Sequence, residues 1–237
     1  MAKTFLQAEW RKLVMANYKV DPKLLNPYLP LKTELDLWNN TCYVTLVGFM
    51  FLNTKVKGFK IPCHTSFEEV NLRFYVRYKD NDEWKRGVVF IKEIVPKLAL
   101  TFVANTIYGE NYETMPMSHI WSKDNYNQVV EYKWKKKAKW YSIKVQTGID
   151  LHEINQGSEE EFITEHYWGY TKINSNKTCE YGVEHPRWKL YKTVEYKIDV
   201  DFGDIYGQAF SFLDNIKPTS VFLAEGSLID VKDGKRI

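Results

Sequence analysis

A mainly β chain, an antiparallel sheet or barrel decorated by a few helices, is what this sequence predicts, and three observations predict it. Residues 66–78, SFEEVNLRFYVRY, alternate polar and apolar side chains at the period of a strand. The 8 Trp, 16 Tyr and 13 Phe, together with the β-branched residues, favour pleated structure and supply a sizeable core. Short strand-like runs follow one another between turn residues, with no internal repeat, long linker or low-complexity stretch among the 237 residues. One domain over residues 1–237 is therefore expected, because β barrels of this length fold as single units.

Taken in order, residues 8–18 place Trp10, Leu13, Val14, Asn17 and Tyr18 at helical intervals, which predicts an amphipathic helix ending before Asp21-Pro22. Residues 34–38 and 41–51 read as a hairpin about Asn39-Asn40, since asparagines tolerate left-handed turns. A strand over 68–78 follows, then a polar turn at Asp80-Asn81-Asp82 and a strand over 86–95 that Pro96 ends. Residues 97–108 change to a helical pattern, with Gly109 placed as its C-terminal stop. Hairpins are predicted over 127–134 with 139–147 and over 165–173 with 178–184, and short strands over 194–200 and 221–224.

Charge and chemistry signals are mostly exclusions. Thirty-three basic and 30 acidic residues are interspersed, for a net charge of +3, so no field for nucleic acid or an anionic membrane is expected. No apolar run is long enough to span a bilayer, and no signal-peptide pattern follows Met1, so a soluble, cytoplasmic protein is expected. Cys42, Cys63 and Cys179 lack metal or disulfide spacing and read as reduced thiols. His64, His119, His152, His166 and His185 are scattered, so neither a metal site nor a cofactor is expected. The segment 133–140, KWKKKAKW, has the composition of a single-strand nucleic-acid platform, but reads more simply as a solvated hairpin tip.

Two strands carry candidate site residues. Glu69, Asn71 and Arg73 project from one side of their strand and Val70, Leu72, Phe74 and Val76 from the other, so the polar face looks either at water or into a polar cavity. Glu93 shares a face with Val89, Ile91 and Val95 by simple alternation. A carboxylate there needs a basic partner, or its pKa rises and it keeps its proton.

FLQAEWRKLVMANYKVDP, SFEEVNLRFYVRY, RGVVFIKEIVP, IYGENYETMPM, EHYWGYT and VEHPRW, in this order, resemble the YqjF-like family of uncharacterised bacterial proteins. That family is similar in fold to acetoacetate decarboxylase, which implies an antiparallel cone-like β-barrel with a polar interior cavity. The decarboxylase holds a Schiff-base lysine in a Pro-Lys-Lys-Leu context beside a second lysine. Here the nearest counterpart is Pro96-Lys97-Leu98, where the second lysine is missing and Lys97 opens the expected helix. The resemblance therefore implies a cavity faced by Glu69, Asn71 and Arg73, but not the decarboxylase nucleophile.

The resulting expectation is a small polar or carbonyl- or carboxylate-bearing ligand. Arg73 holds its anionic group, Glu69 and Asn71 orient it, Glu93 acts as acid or base, and Tyr167 or His185 adds hydrogen bonds. Whether the chain is an enzyme stays open. The rival expectation is a non-catalytic interaction protein that uses its Trp- and Lys-rich hairpin surface.

Overall fold

The computed structural model describes residues 3–237. Fourteen strands form one sheet: β1 (Thr4–Val20), β2 (Thr33–Leu35), β3 (Cys42–Val56), β4 (Phe67–Asp80), β5 (Glu83–Val95), β6 (Tyr112–Thr114), β7 (Met117–Lys123), β8 (Asn127–Lys136), β9 (Lys139–Glu153), β10 (Trp168–Asn174), β11 (Lys177–Glu184), β12 (Lys189–Asp199), β13 (Ser220–Lys232) and β14 (Lys235–Arg236). Helices are short: α1 (Leu98–Val103), α2 (Glu159–Thr164) and α3 (Phe202–Tyr206). The pairings run β11-β10-β5-β4-β3-β1-β13, and β11 also pairs β13, so these seven strands form a ring. Strands β12, β9, β8 and β7 extend the sheet beyond β13.

Each ring strand sends alternate residues into two cores. Val70, Leu72, Phe74 and Val76 of β4 pack with Val44 and Leu46 of β3 and Val14 and Ala16 of β1, against Tyr132 and Ile143 and beneath Phe202, Tyr206 and Phe210. The other faces of the same strands bury Met15, Phe49, Phe51, Phe67 and Tyr75 together with Phe162 and Ile163 of α2. The register of β3 with β4 is unbroken from Phe51↔Phe67 to Val44↔Phe74, so Glu69, Asn71 and Arg73 lie on this second, inner side. The face expected to look at water or a cavity is buried.

The N-terminal segment corrects the sequence reading, since residues 8–18 lie within β1 rather than in a helix. The cause is a β-bulge: Lys12 takes φ 54°, and Arg11 to Val14 on β1 spans Met50 to Gly48 on β3, one residue more on β1. Trp10 and Leu13 consequently pack on the same core, as do Val14, Ala16 and Tyr18 on the other. An extra residue in a period-two pattern imitates helical spacing.

A second bulge corrects the face assigned to Glu93. Leu72 pairs Lys92 while Arg73 pairs Phe90, so Ile91 is the extra residue of β5. Val89 and Ile91 stay in the outer core, while Val95 joins the inner one, and Glu93 pairs Asn71 on that inner side. The expected hairpin over 34–51 is also reduced. Asn39 and Asn40 have the left-handed φ of 48° and 59°, but only Trp38 and Thr41 pair across the turn. Residues Thr33 to Leu35 pair β4 instead, because Asp36 is pinned inward by Arg86 and His166.

The helix after Pro96 and the two later hairpins follow expectation, while β6, β7, β14, α2 and α3 have no counterpart in the sequence reading. Lys97 precedes α1, which continues as one π-helical segment, Ala104–Tyr108, to Gly109 at φ 69°. The β8–β9 and β10–β11 hairpins form as expected. The 133–140 segment is a hairpin tip whose Trp134 is buried and whose Lys136 and Lys139 pair with Asp204 and Asp201.

Candidate functional site

The Ile91 bulge organises the site. Asn111 Nδ2 donates to the freed Ile91 carbonyl at 2.6 Å, and the Glu93 amide donates to the Asn111 carbonyl at 3.0 Å. These bonds bring the chain after Gly109 back along β5 as the parallel strand β6, which puts Tyr112 opposite Glu93. Glu110, two residues earlier, is carried to the same place. From the other side, Tyr181 of β11 lies across Gly169 of β10, its register partner. A Cβ at Gly169 would meet the Tyr181 ring at 2.2 Å, so glycine is what lets that ring lie inward.

Glu69, Glu110, Tyr112 and Tyr181 thereby line a cavity of about 360 Å³ whose other walls are largely apolar, among them Phe51, Phe67, Leu100 and Val103, with Thr54, His64 and Lys232 as the further polar residues. Asn71 Nδ2 donates to Glu69 Oε1 at 2.9 Å and the Tyr112 hydroxyl donates to Glu69 Oε2 at 3.4 Å. Thr171 Oγ1 donates to Glu110 Oε1 at 3.4 Å. Glu93 stands behind this wall, and Glu110 also lines the smaller cavity, about 200 Å³, that Glu93 faces. Glu93 Oε2, Asn71 Oδ1 and Arg73 Nε are buried without a hydrogen-bond partner among the described residues.

No described lysine or arginine forms an ion pair with Glu69, Glu93 or Glu110. Removal from water pushes Glu69 up to about 8, against the Asn71 hydrogen bond and with help from the charge of Glu110. Burial likewise pushes Glu110 up to about 7. Glu93 is raised well above the ordinary range, first by burial and then by Glu110 and Glu69. Tyr112 and Tyr181 are raised as well, again chiefly by burial, so their hydroxyls keep their protons. Near neutral pH the cluster therefore holds protons it can donate and at least one carboxyl poised to exchange them.

Arg73 is 8% exposed, has no ion pair among the described residues, and sits 5.9 Å from the Tyr75 ring centre. It lies two residues past Asn71 on the inner face and lines neither of these cavities nor the one at His185. Tyr167 and His185 are set apart from the carboxyl cluster. His185 stacks on Trp188 at 4.2 Å and lies 4.7 Å from Tyr167, its Nδ1 donates to the Pro186 carbonyl, and it lines a separate cavity of about 510 Å³. Tyr167 donates to Glu165. Burial, and to a lesser degree the Arg73 charge, depresses His185.

Of the six residues expected at the site, four are thus gathered on the inner face, His185 borders a neighbouring cavity and Tyr167 packs against His185. Glu110, Tyr112 and Tyr181 were missed. Their only sequence signal was position, immediately after a helix-stopping glycine and opposite a glycine in a hairpin. Lys97 is half-buried and does not line the cavity. The described lysine that does, Lys232, pairs with Glu184 at 2.6 Å. Among the described residues no group of three or more His, Cys, Asp or Glu is arranged to hold a metal ion, and no helix is long and apolar enough to cross a membrane.

Because the Gly169 site admits no side chain, Gly169→Ala is expected to destabilise the fold by about 1–3 kcal/mol through overpacking and to move Tyr181 away from Glu110. Thermal unfolding with the Tyr181→Phe variant as control checks this. An unchanged melting temperature would mean that the ring does not need its inward position.

Residues 7–228 match the family DUF2071, described as an uncharacterized conserved protein. The uncharacterized protein YqjF of Bacillus subtilis is 25% identical over 197 residues, covering 83% of this chain and 78% of its own. Among solved structures, acetoacetate decarboxylase from Legionella pneumophila is similar with a TM-score of 0.67 and 12% identity, over 100% of this chain and 88% of that one. The enduracididine biosynthesis enzyme MppR complexed with pyruvate is similar with a TM-score of 0.66 and 10% identity, over 100% and 91%. An acetoacetate decarboxylase-like enzyme from Sphingomonas wittichii gives 0.66 and 9%, over 99% and 94%. These likenesses establish a mainly β, acetoacetate decarboxylase-like fold.

Proposed function

The chain belongs to the DUF2071 family, and from that premise we propose that it binds a small carbonyl-bearing molecule inside a cone-like β-barrel, with its carboxyl cluster as proton donor and acceptor. The observation that carries this reading is that Glu69 and Glu110, raised in pKa and unpaired with any described cation, line a largely apolar cavity with Glu93, raised likewise, behind them. A neutral carboxyl can donate to a carbonyl oxygen, and a neighbouring carboxylate can take the proton from the adjacent carbon, giving the enol. A ligand that also carries a carboxylate reaches past Asn71 toward Arg73, whose Nε has no partner. His185 and Tyr167, which pack on each other beside a separate cavity, take no part in this reading. The neighbour complexed with pyruvate supports a small carbonyl compound as the class of ligand.

This reading treats the chain as one cytoplasmic domain, in keeping with its three free thiols. It assigns no covalent step to Lys97, because that side chain does not line the cavity and no second lysine adjoins it. The hairpin-surface rival loses an aromatic, since Trp134 is buried.

The test is proton NMR of 2-butanone and of pyruvate with the protein in D2O, followed by borohydride treatment. Ligand line-broadening, exchange of the protons next to the carbonyl, and no reduced adduct on Lys97 are expected. Neither ligand binding would remove the carbonyl reading. A Lys97 adduct abolished by Lys97→Met would replace the carboxyl chemistry with a Schiff base.

A further inference from the structure

Helix α1 has the sequence LALTFV and no buried residue. Leu98 is 73% exposed and Phe102 68%, and across the cavity mouth Phe59 is 73% exposed, with Ile61 and Val103 exposed beside them. Leu98, Ala99, Phe102 and Val103 of this helix are exposed, while Leu100 packs on the inner core, and so apolar an exposed edge is unusual for a soluble surface. The same helix turns Leu100 and Val103 into the cavity wall, and Ile61 lines it from the other side. The apolar surface is thus continuous from the carboxyl floor, past α1, to the exterior. Besides the carboxyl and tyrosine cluster, the polar residues of the lining are Thr54, His64 and Lys232.

We propose that the carbonyl ligand is an amphiphile, a compound whose carbonyl head meets Glu69 and Glu110 and whose unbranched apolar chain runs out between α1 and the 57–66 loop. This rests on the carbonyl reading above. A two- or three-carbon body leaves Leu100, Val103 and Ile61 facing water inside a 360 Å³ space, whereas a chain of six or more carbons covers them. The occupant follows from a lining that is mostly apolar and that shares Leu100 and Val103 with the exposed apolar helix α1. A second protein copy would cover the outer patch without filling the walls that lead inward.

The experiment is a calorimetric and NMR titration of 2-butanone, 2-hexanone and 2-octanone, with hexane as the headless control. Affinity is expected to rise about fourfold per added methylene, the gain for burying that group. Leu100→Asp and Ile61→Asp are expected to flatten the series, read as a fall in the ratio of 2-octanone to 2-butanone affinity within each variant. Leu100 packs on the inner core, so thermal unfolding of Leu100→Asp is read alongside, and Ile61→Asp tests a second lining residue independently. Equal affinity along the ketone series would overturn the chain while leaving the head-group reading in place. Hexane binding as tightly as 2-hexanone would support the chain and overturn the head group. Absence of binding by every ketone would overturn both. Concentration-dependent dimerisation abolished by Phe102→Asp, without chain dependence, would assign the patch to a second copy and overturn the proposal.

Discussion

At pH 8, Glu93→Gln is expected to stabilise the protein by about 3 kcal/mol, while at pH 4 it leaves stability nearly unchanged. In the unfolded chain Glu93 ionises at its ordinary value of 4.5; in the fold its pKa is raised well above that, by burial and then by Glu110 and Glu69. Below pH 4.5 both states hold the proton and the group costs nothing. As pH rises above 4.5 the unfolded state gives up its proton and the folded state does not, so stability falls until the folded pKa is passed. Glutamine keeps the shape and a donor without the titration. Glu69 and Glu110 add the same sign of dependence, over 4.5 to about 8 and 4.5 to about 7. His166 bounds the acid side. Burial lowers it to about 4, so its neutral form contributes stability above about 6.5 that is lost as pH falls toward 4. Denaturant melts of wild type and variant at pH 4, 6 and 8 check the prediction. An equal effect at all three values would mean that Glu93 is ionised in the fold.

The second large effect is expected at Arg73. Its guanidinium is buried with no ion pair among the described residues and an unpartnered Nε, so removing the charge removes a desolvation cost along with a recognition group. Arg73→Leu is expected to change stability by between zero and about 2 kcal/mol in the stabilising direction. Pyruvate affinity is expected to fall about ten- to hundredfold, the worth of a hydrogen bond to a charged group, with 2-butanone affinity unchanged. Parallel titrations of the two ligands read this directly. Equal losses for both would make Arg73 a packing residue rather than the seat of a carboxylate.

What was legible in the sequence was legible where strands kept their period. SFEEVNLRFYVRY alternates without interruption, and its inner and outer residues fall where alternation puts them. Turns at Asn39-Asn40 and the Gly109 stop were readable because left-handed backbone needs those residue types. Two of the misreadings are bulges. At Lys12 one extra residue made a strand look helical, and at Ile91 one extra residue moved Glu93 from the outer core to the inner cluster. The rest of the site is assembled by register between distant segments. Tyr112 meets Glu93 because β6 returns parallel to β5, and Tyr181 reaches Glu110 because Gly169 yields the space. No local pattern encodes either meeting.

The central claim is that protonated carboxyls at the cavity floor receive a neutral carbonyl, and the pH dependence of 2-hexanone affinity between pH 6 and pH 9 tests it most directly. Glu110 and Glu69, at about 7 and about 8, lose their protons across that range, so donors become negative acceptors. Affinity is expected to fall at least about tenfold from pH 6 to pH 9, the worth of a lost buried hydrogen bond, and to lose this dependence in Glu69→Gln/Glu110→Gln. An affinity that is flat across the range, or hexylammonium binding that strengthens as pH rises while 2-hexanone does not bind, would contradict the account and make the cluster a site for cations.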